Sequence, residues 1–113
     1  MANVNQLTTI DQLQEALDHT TERPLLVFKH STRCPISAGA YSEFQSYLGG
    51  SPSEEVDYGL IYVVENRDVS NAAAEKLDLK HESPQAILIK NGEPVWNTSH
   101  SRITSGALRE ALS

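Results

Sequence analysis

Three largely apolar runs, Leu25–Lys29, Leu60–Val64 and Gln85–Lys90, constrain this chain more than any other feature. Each is too short for a core helix. The first two lack the alternation of a half-exposed strand, so they read as strands buried on both faces. Strands covered on both sides need helices above and below, and the segments between the runs carry helical spacing. A chain of 113 residues has room for one hydrophobic core, so a single domain over residues 1–113 is expected.

The helical segments have legible ends. Thr9-Ile10-Asp11-Gln12 fits a capping box, and Ile10, Leu13 and Leu17 carry the helix on toward His19. Pro35 suits the first turn of a second helix, where its missing N–H has no partner to lose. Ile36, Ala40, Phe44, Tyr47 and Leu48 then mark one apolar face, which Gly49-Gly50 ends. Residues 51–57 read as a polar loop. Ser70 is expected to cap a short helix carrying Ala73, Ala74 and Leu77. Asn91-Gly92 signals a hairpin into a return strand from Glu93, where Pro94 confines that strand to an edge or sits at its start. Thr104 opens a last helix with Ile103, Ala107, Leu108, Ala111 and Leu112 on its buried side. The order α, β, α, β, α, β, β, α predicts an α/β fold: a four-stranded mixed sheet flanked by helices on both faces.

Composition narrows the function. A net charge of −6 without a basic run argues against nucleic acid and against anionic membrane surfaces. The longest apolar run, Leu60–Val64, is far too short to span a bilayer. Met1–Gln6 has neither a cationic start nor an apolar core, so no signal peptide is expected. The one cysteine allows neither an internal disulfide nor a cysteine-based zinc cage, and no histidine spacing suggests a metal site. A reducing, cytoplasmic location is the natural expectation.

That cysteine, Cys34, falls between the first strand and the helix opened by Pro35. Free backbone N–H groups and the positive end of the helix dipole there favour a thiolate. Ser37 stands where a dithiol enzyme would carry its second sulfur. The motif Cys-Pro-Ile-Ser can therefore attack a disulfide but cannot resolve the product internally. The Ser37 hydroxyl is a candidate hydrogen-bond donor to the Cys34 thiolate. Arg33 and Lys29 are candidate electrostatic supports for the thiolate, with a plain surface charge as the alternative for each, and His30 is a candidate proton carrier. Strand alternation argues for Lys29 pointing away from the site. His81 and His100 read as surface or structural residues, and Tyr62 and Trp96 as core.

Four features resemble thioredoxin-fold proteins: Cys34 at a strand-to-helix junction, Pro35 directly after it, Ser83-Pro84 just before a strand, and the terminal hairpin and helix. The closer resemblance, over nearly the whole chain, is to the YtxJ family of monothiol bacilliredoxin-like proteins. It rests on Thr32-Arg33-Cys34-Pro35-Ile36-Ser37-Ala38, Val63-Val64-Glu65-Asn66-Arg67 and Lys80-His81-Glu82-Ser83-Pro84-Gln85-Ala86-Ile87-Leu88. The resemblance implies a thioredoxin-like fold with Cys34 as catalytic nucleophile, supported by Thr32, Arg33, Pro35 and Ser37. It implies a cis Ser83–Pro84 bond beside the cysteine, with both residues binding substrate. It further implies bacillithiol or another low-molecular-weight thiol as co-substrate, and no tightly bound cofactor. The implied partners are S-thiolated client proteins, and a small thiol or reductase that regenerates Cys34.

A stabilised thiolate is also a good leaving group, so such a site suits handing a small thiol onward better than one-way attack. Two other classes fit the same residues. One is an iron–sulfur carrier of the monothiol-glutaredoxin type. The other is a non-catalytic adaptor in which Cys34 senses oxidation or thiol capping.

Overall fold

The computed structural model describes residues 3–112; Met1, Ala2 and Ser113, part of the span expected as one domain, lie outside the described residues. Strands β1 (Val4–Gln6), β2 (Leu25–His30), β3 (Asp57–Tyr62), β4 (Gln85–Lys90) and β5 (Glu93–Ser99) and helices α1 (Ile10–Asp18), α2 (Pro35–Gly49), α3 (Arg67–Leu77) and α4 (Ser105–Leu112) follow one another in the order β1-α1-β2-α2-β3-α3-β4-β5-α4. The five strands form one mixed sheet in the order β1-β3-β2-β4-β5. β1 and β2 run parallel to β3, while β4 is antiparallel to both β2 and β5.

Alternation along the strands divides the core into two layers. Leu26, Phe28, Tyr58, Leu60 and Leu88 pack under α2 and α4 with Ala40, Phe44, Tyr47, Leu108 and Leu112. Leu25, Val27, Ile61, Ile87 and Ile89 face α1 and α3 with Leu13, Leu17, Val69, Ala73 and Leu77. β2 lies at the sheet's centre and is buried on both faces, as its apolar run predicts.

Local signals fix several boundaries. Thr9 and Gln12 make the reciprocal capping box at the start of α1. Asn91 and Gly92 both have positive φ, 52° and 75°, the backbone that a tight two-residue hairpin requires. β5 is an edge strand with Pro94 as its second residue, matching both readings of that proline.

Other expectations are corrected. The sheet has five strands rather than four, because β1 adds to the β3 edge. β1 is three polar-to-mixed residues held by main-chain pairing, with no apolar pattern to betray it. β3 begins at Asp57, inside the expected polar loop, and ends at Tyr62. Arg23 Nε on Asp57 Oδ1 at 3.0 Å balances the acid that made this segment read as loop. α3 starts at Arg67 after Asn66, so Ser70 is a buried mid-helix residue and not a cap. Ile36 is 53% exposed, since the buried stripe of α2 runs through Ser37, Ala40, Phe44 and Tyr47 and leaves position 36 on the outer side.

Candidate active site

β2 ends at His30, and the turn Ser31–Arg33 carries the chain to Cys34. Cys34 N–H donates to Ser31 O at 3.3 Å, closing that turn. Cys34 itself is extended (φ −112°, ψ 123°) and is the N-cap of α2, with Pro35 as the first helical residue. Its carbonyl accepts from Ala38 N–H, while its side chain makes no capping bond to the helix amides. The cysteine is free, and the residue is half-buried. It therefore stands, partly exposed, at the positive end of a 15-residue helix. Thr32 and Arg33 are exposed beside it.

Ser37 is completely buried, and its hydroxyl is already engaged. Ser31 N–H donates to Ser37 Oγ at 2.9 Å, and His30 Nδ1 lies 2.8 Å from the same oxygen. Thus the expected Ser37 bond to the sulfur gives way to bonds that lock the turn beneath it. The reason is geometric. One turn into the helix, the serine points down toward the end of β2 instead of outward. His30 is buried, stacked on Tyr41 at 4.4 Å between ring centroids, and tilted against Phe28 and Tyr62. Burial lowers its pKa, partly offset by the Glu65 carboxylate. The structure thus places His30 as a neutral ring that buttresses Ser37.

The Ser83–Pro84 bond is cis, as the motif implies. Lys29 pairs with Gln85 across β2 and β4, so Pro84 comes next at the end of β2 from which the Cys34 turn departs. Pro84 is buried, and its carbonyl accepts from His100 N–H at 3.0 Å. The shielded Ser83 hydroxyl has no hydrogen-bond partner among the described residues.

One feature was missed from sequence. Lys29 does turn away from the Cys34 side, but it enters the core instead of solvent. Its Nζ donates to Ser70 O and to His81 Nδ1, both at 3.1 Å. Burial pushes its ammonium down from 10.5 to about 8. His81, read as surface or structural, is its partner, and burial and the lysine charge both lower its pKa. The signal was available: a lysine within a run otherwise buried on both faces cannot reach water by alternation alone.

Residues 5–108 match the family model described as monothiol bacilliredoxin BrxC. Among solved structures, a candidate oxidoreductase with a thioredoxin fold is 37% identical, with a TM-score of 0.83, over 97% of this chain and 94% of its own. Fasciola hepatica thioredoxin is 20% identical, with a TM-score of 0.71, over 96% of this chain and 95% of its own. Malassezia sympodialis thioredoxin is 14% identical, with a TM-score of 0.78, over 99% and 90%. The two thioredoxins show a shared fold alone. No helix among the described residues is long and apolar enough to cross a membrane. The chain belongs to the monothiol bacilliredoxin family and has a thioredoxin fold, and together these support a thiol-oxidoreductase function.

Proposed function

We propose that this member of the monothiol bacilliredoxin family exchanges a small thiol, bacillithiol or a close equivalent, with capped client proteins through Cys34. One observation carries the reading. A half-buried cysteine whose side chain makes no capping bond stands at a helix N-terminus in a chain with no second cysteine, and Ser37 occupies the position of a resolving thiol.

The Cys34 thiolate attacks the small-molecule sulfur of a client mixed disulfide. The old S–S bond breaks as the new one forms, and the client leaves as a thiolate that takes a proton from water. The number of disulfides is unchanged, so no external electron acceptor is needed. A second thiolate then attacks the small-molecule sulfur on Cys34, and Cys34 departs as the leaving group. The helix N-terminus favours that anionic form at departure as well as at attack. The main chain at half-buried Ser83, which lies at the same end of β2 as the Cys34 turn, offers a docking edge for the client segment. Exposed Ile36 supplies an apolar contact at the lip, and Thr32 and Arg33 flank the sulfur.

The test is a mass measurement. Incubation of a bacillithiol-capped client with reduced protein should move the cap to Cys34, leaving the client lighter by the same mass. Cys34→Ser should leave the client unchanged. A client that stays capped with the unaltered protein, under conditions where another bacilliredoxin uncaps it, overturns the assignment.

A further inference from the structure

Lys29 has no role in the exchange chemistry above, yet its position is costly. The side chain is 0% exposed and has no carboxylate partner among the described residues. An apolar residue at a core position avoids the desolvation that an ammonium incurs. The contacts show what the amine does there. It holds Ser70 O on α3 and His81 Nδ1 in the segment leading to Pro84. Because His81 Nδ1 accepts, the imidazole proton sits on Nε2. Ser70 Oγ approaches the same ring nitrogen at 3.4 Å.

Gln85 stands directly across from Lys29 in the β2–β4 ladder, so both side chains project from one face. It too is buried, 1% exposed, and its amide spans the same segment. Gln85 Nε2 donates to Lys80 O at 3.2 Å, and Glu82 N–H donates to Gln85 Oε1 at 3.3 Å. Three consecutive residues, Lys80, His81 and Glu82, are thus each gripped by one bond from this buried pair. The next two are Ser83 and Pro84.

We infer that Lys29 and Gln85 are positioning residues that clamp the 80–82 segment from beneath and set Ser83 and Pro84 for docking of the client chain. The clamp belongs to the proposed exchange reaction and rests on that reading, but it acts on client recognition and not on the sulfur. Lys29 and the turn bearing Cys34 leave from the same end of β2. Both halves of the site are therefore referred to one strand in the centre of the sheet.

The variants Lys29→Met and Gln85→Leu remove the grip while keeping each position filled. Three readouts separate the roles: steady-state exchange with a peptide mixed disulfide, alkylation of Cys34 by iodoacetamide across pH, and amide hydrogen exchange over residues 80–85. Each variant should raise the peptide KM about tenfold with kcat changed less than about twofold, the pattern of lost ground-state binding. Alkylation should follow the unaltered protein's pH profile, and amides of the segment should exchange faster. An unchanged peptide KM in folded variants overturns the inference. So does a displaced alkylation profile with KM intact, which assigns Lys29 to the sulfur instead. If the unaltered protein shows no exchange, the proposed function fails. Amide exchange still decides the clamp in that case: unchanged protection in both variants refutes it.

Discussion

Lys29 and His30 are adjacent on the central strand, and alternation sends them to opposite faces. His30 enters the layer beneath α2 and α4, where ring packing is dense: Phe28 stacks on Phe44 at 4.9 Å and His30 on Tyr41 at 4.4 Å. Lys29 enters the layer beneath α1 and α3, which is aliphatic, and finds backbone and imidazole acceptors there. Each side chain fixes a different segment at the same end of β2. His30 holds Ser37 and, through it, the turn under the sulfur; Lys29 holds the segment ahead of Pro84. The chemical contrast follows from the job. A neutral ring can be stacked tightly and needs one polar contact, whereas a flexible amine with three donors can tie together two separated elements.

Four experiments break or sharpen this contrast. The largest effect spares both faces: Cys34→Ser should abolish exchange, a loss beyond about 1,000-fold, with the melting temperature nearly unchanged. Residual exchange in that variant, measured by client mass, removes the sulfur from the mechanism.

On the aromatic face, Phe44→Ala should cost about 3–5 kcal/mol in urea unfolding, through lost burial and an unfilled cavity. A cost below about 1 kcal/mol would show that the stacked layer is loosely packed.

On the lysine face the effect depends on pH. The unfolded chain keeps the Lys29 proton up to about 10.5, the folded chain only up to about 8. Between these values the unfolded state carries more protons, so stability rises with pH as the burial penalty on the charge is relieved. Relative to Lys29→Met, the unaltered protein should gain up to about 3 kcal/mol from pH 8 to 10.5, with little relative change below 8. A flat difference across that window means the amine reaches water.

Ser37→Ala should act more mildly. It strands Ser31 N–H and one His30 nitrogen, costing about 1–3 kcal/mol. Because the hydroxyl is committed to the turn, Cys34 alkylation should change less than about threefold. A larger change would restore a direct bond from Ser37 to the sulfur.

Much of the frame was legible because its causes are local. Apolar runs place β2 and β4 within a residue of their observed ends, the Thr9 box starts α1, and Asn91-Gly92 makes the hairpin. Cys34, Pro35 and Ser37 share one helix start, so their order along the chain already describes half the site. β1 was invisible because its pairing is carried by main-chain groups that any sequence supplies. The start of β3 was hidden by Asp57, whose charge is met by Arg23 from 34 positions away. Ile36 fitted the apolar face of α2 by periodicity, and only the packing of its neighbour Ser37 against the end of β2 decided that position 36 stays exposed.

The chain's own order therefore determined the sulfur, its helix start and the missing resolving thiol, since hydrogen bonds and dipoles at a helix N-terminus come from neighbours in sequence. Only the tertiary structure decided where Ser37 and Lys29 spend their hydrogen bonds. Those partners lie 6, 7, 41 and 52 positions away and are chosen by which layer of the core each side chain must enter.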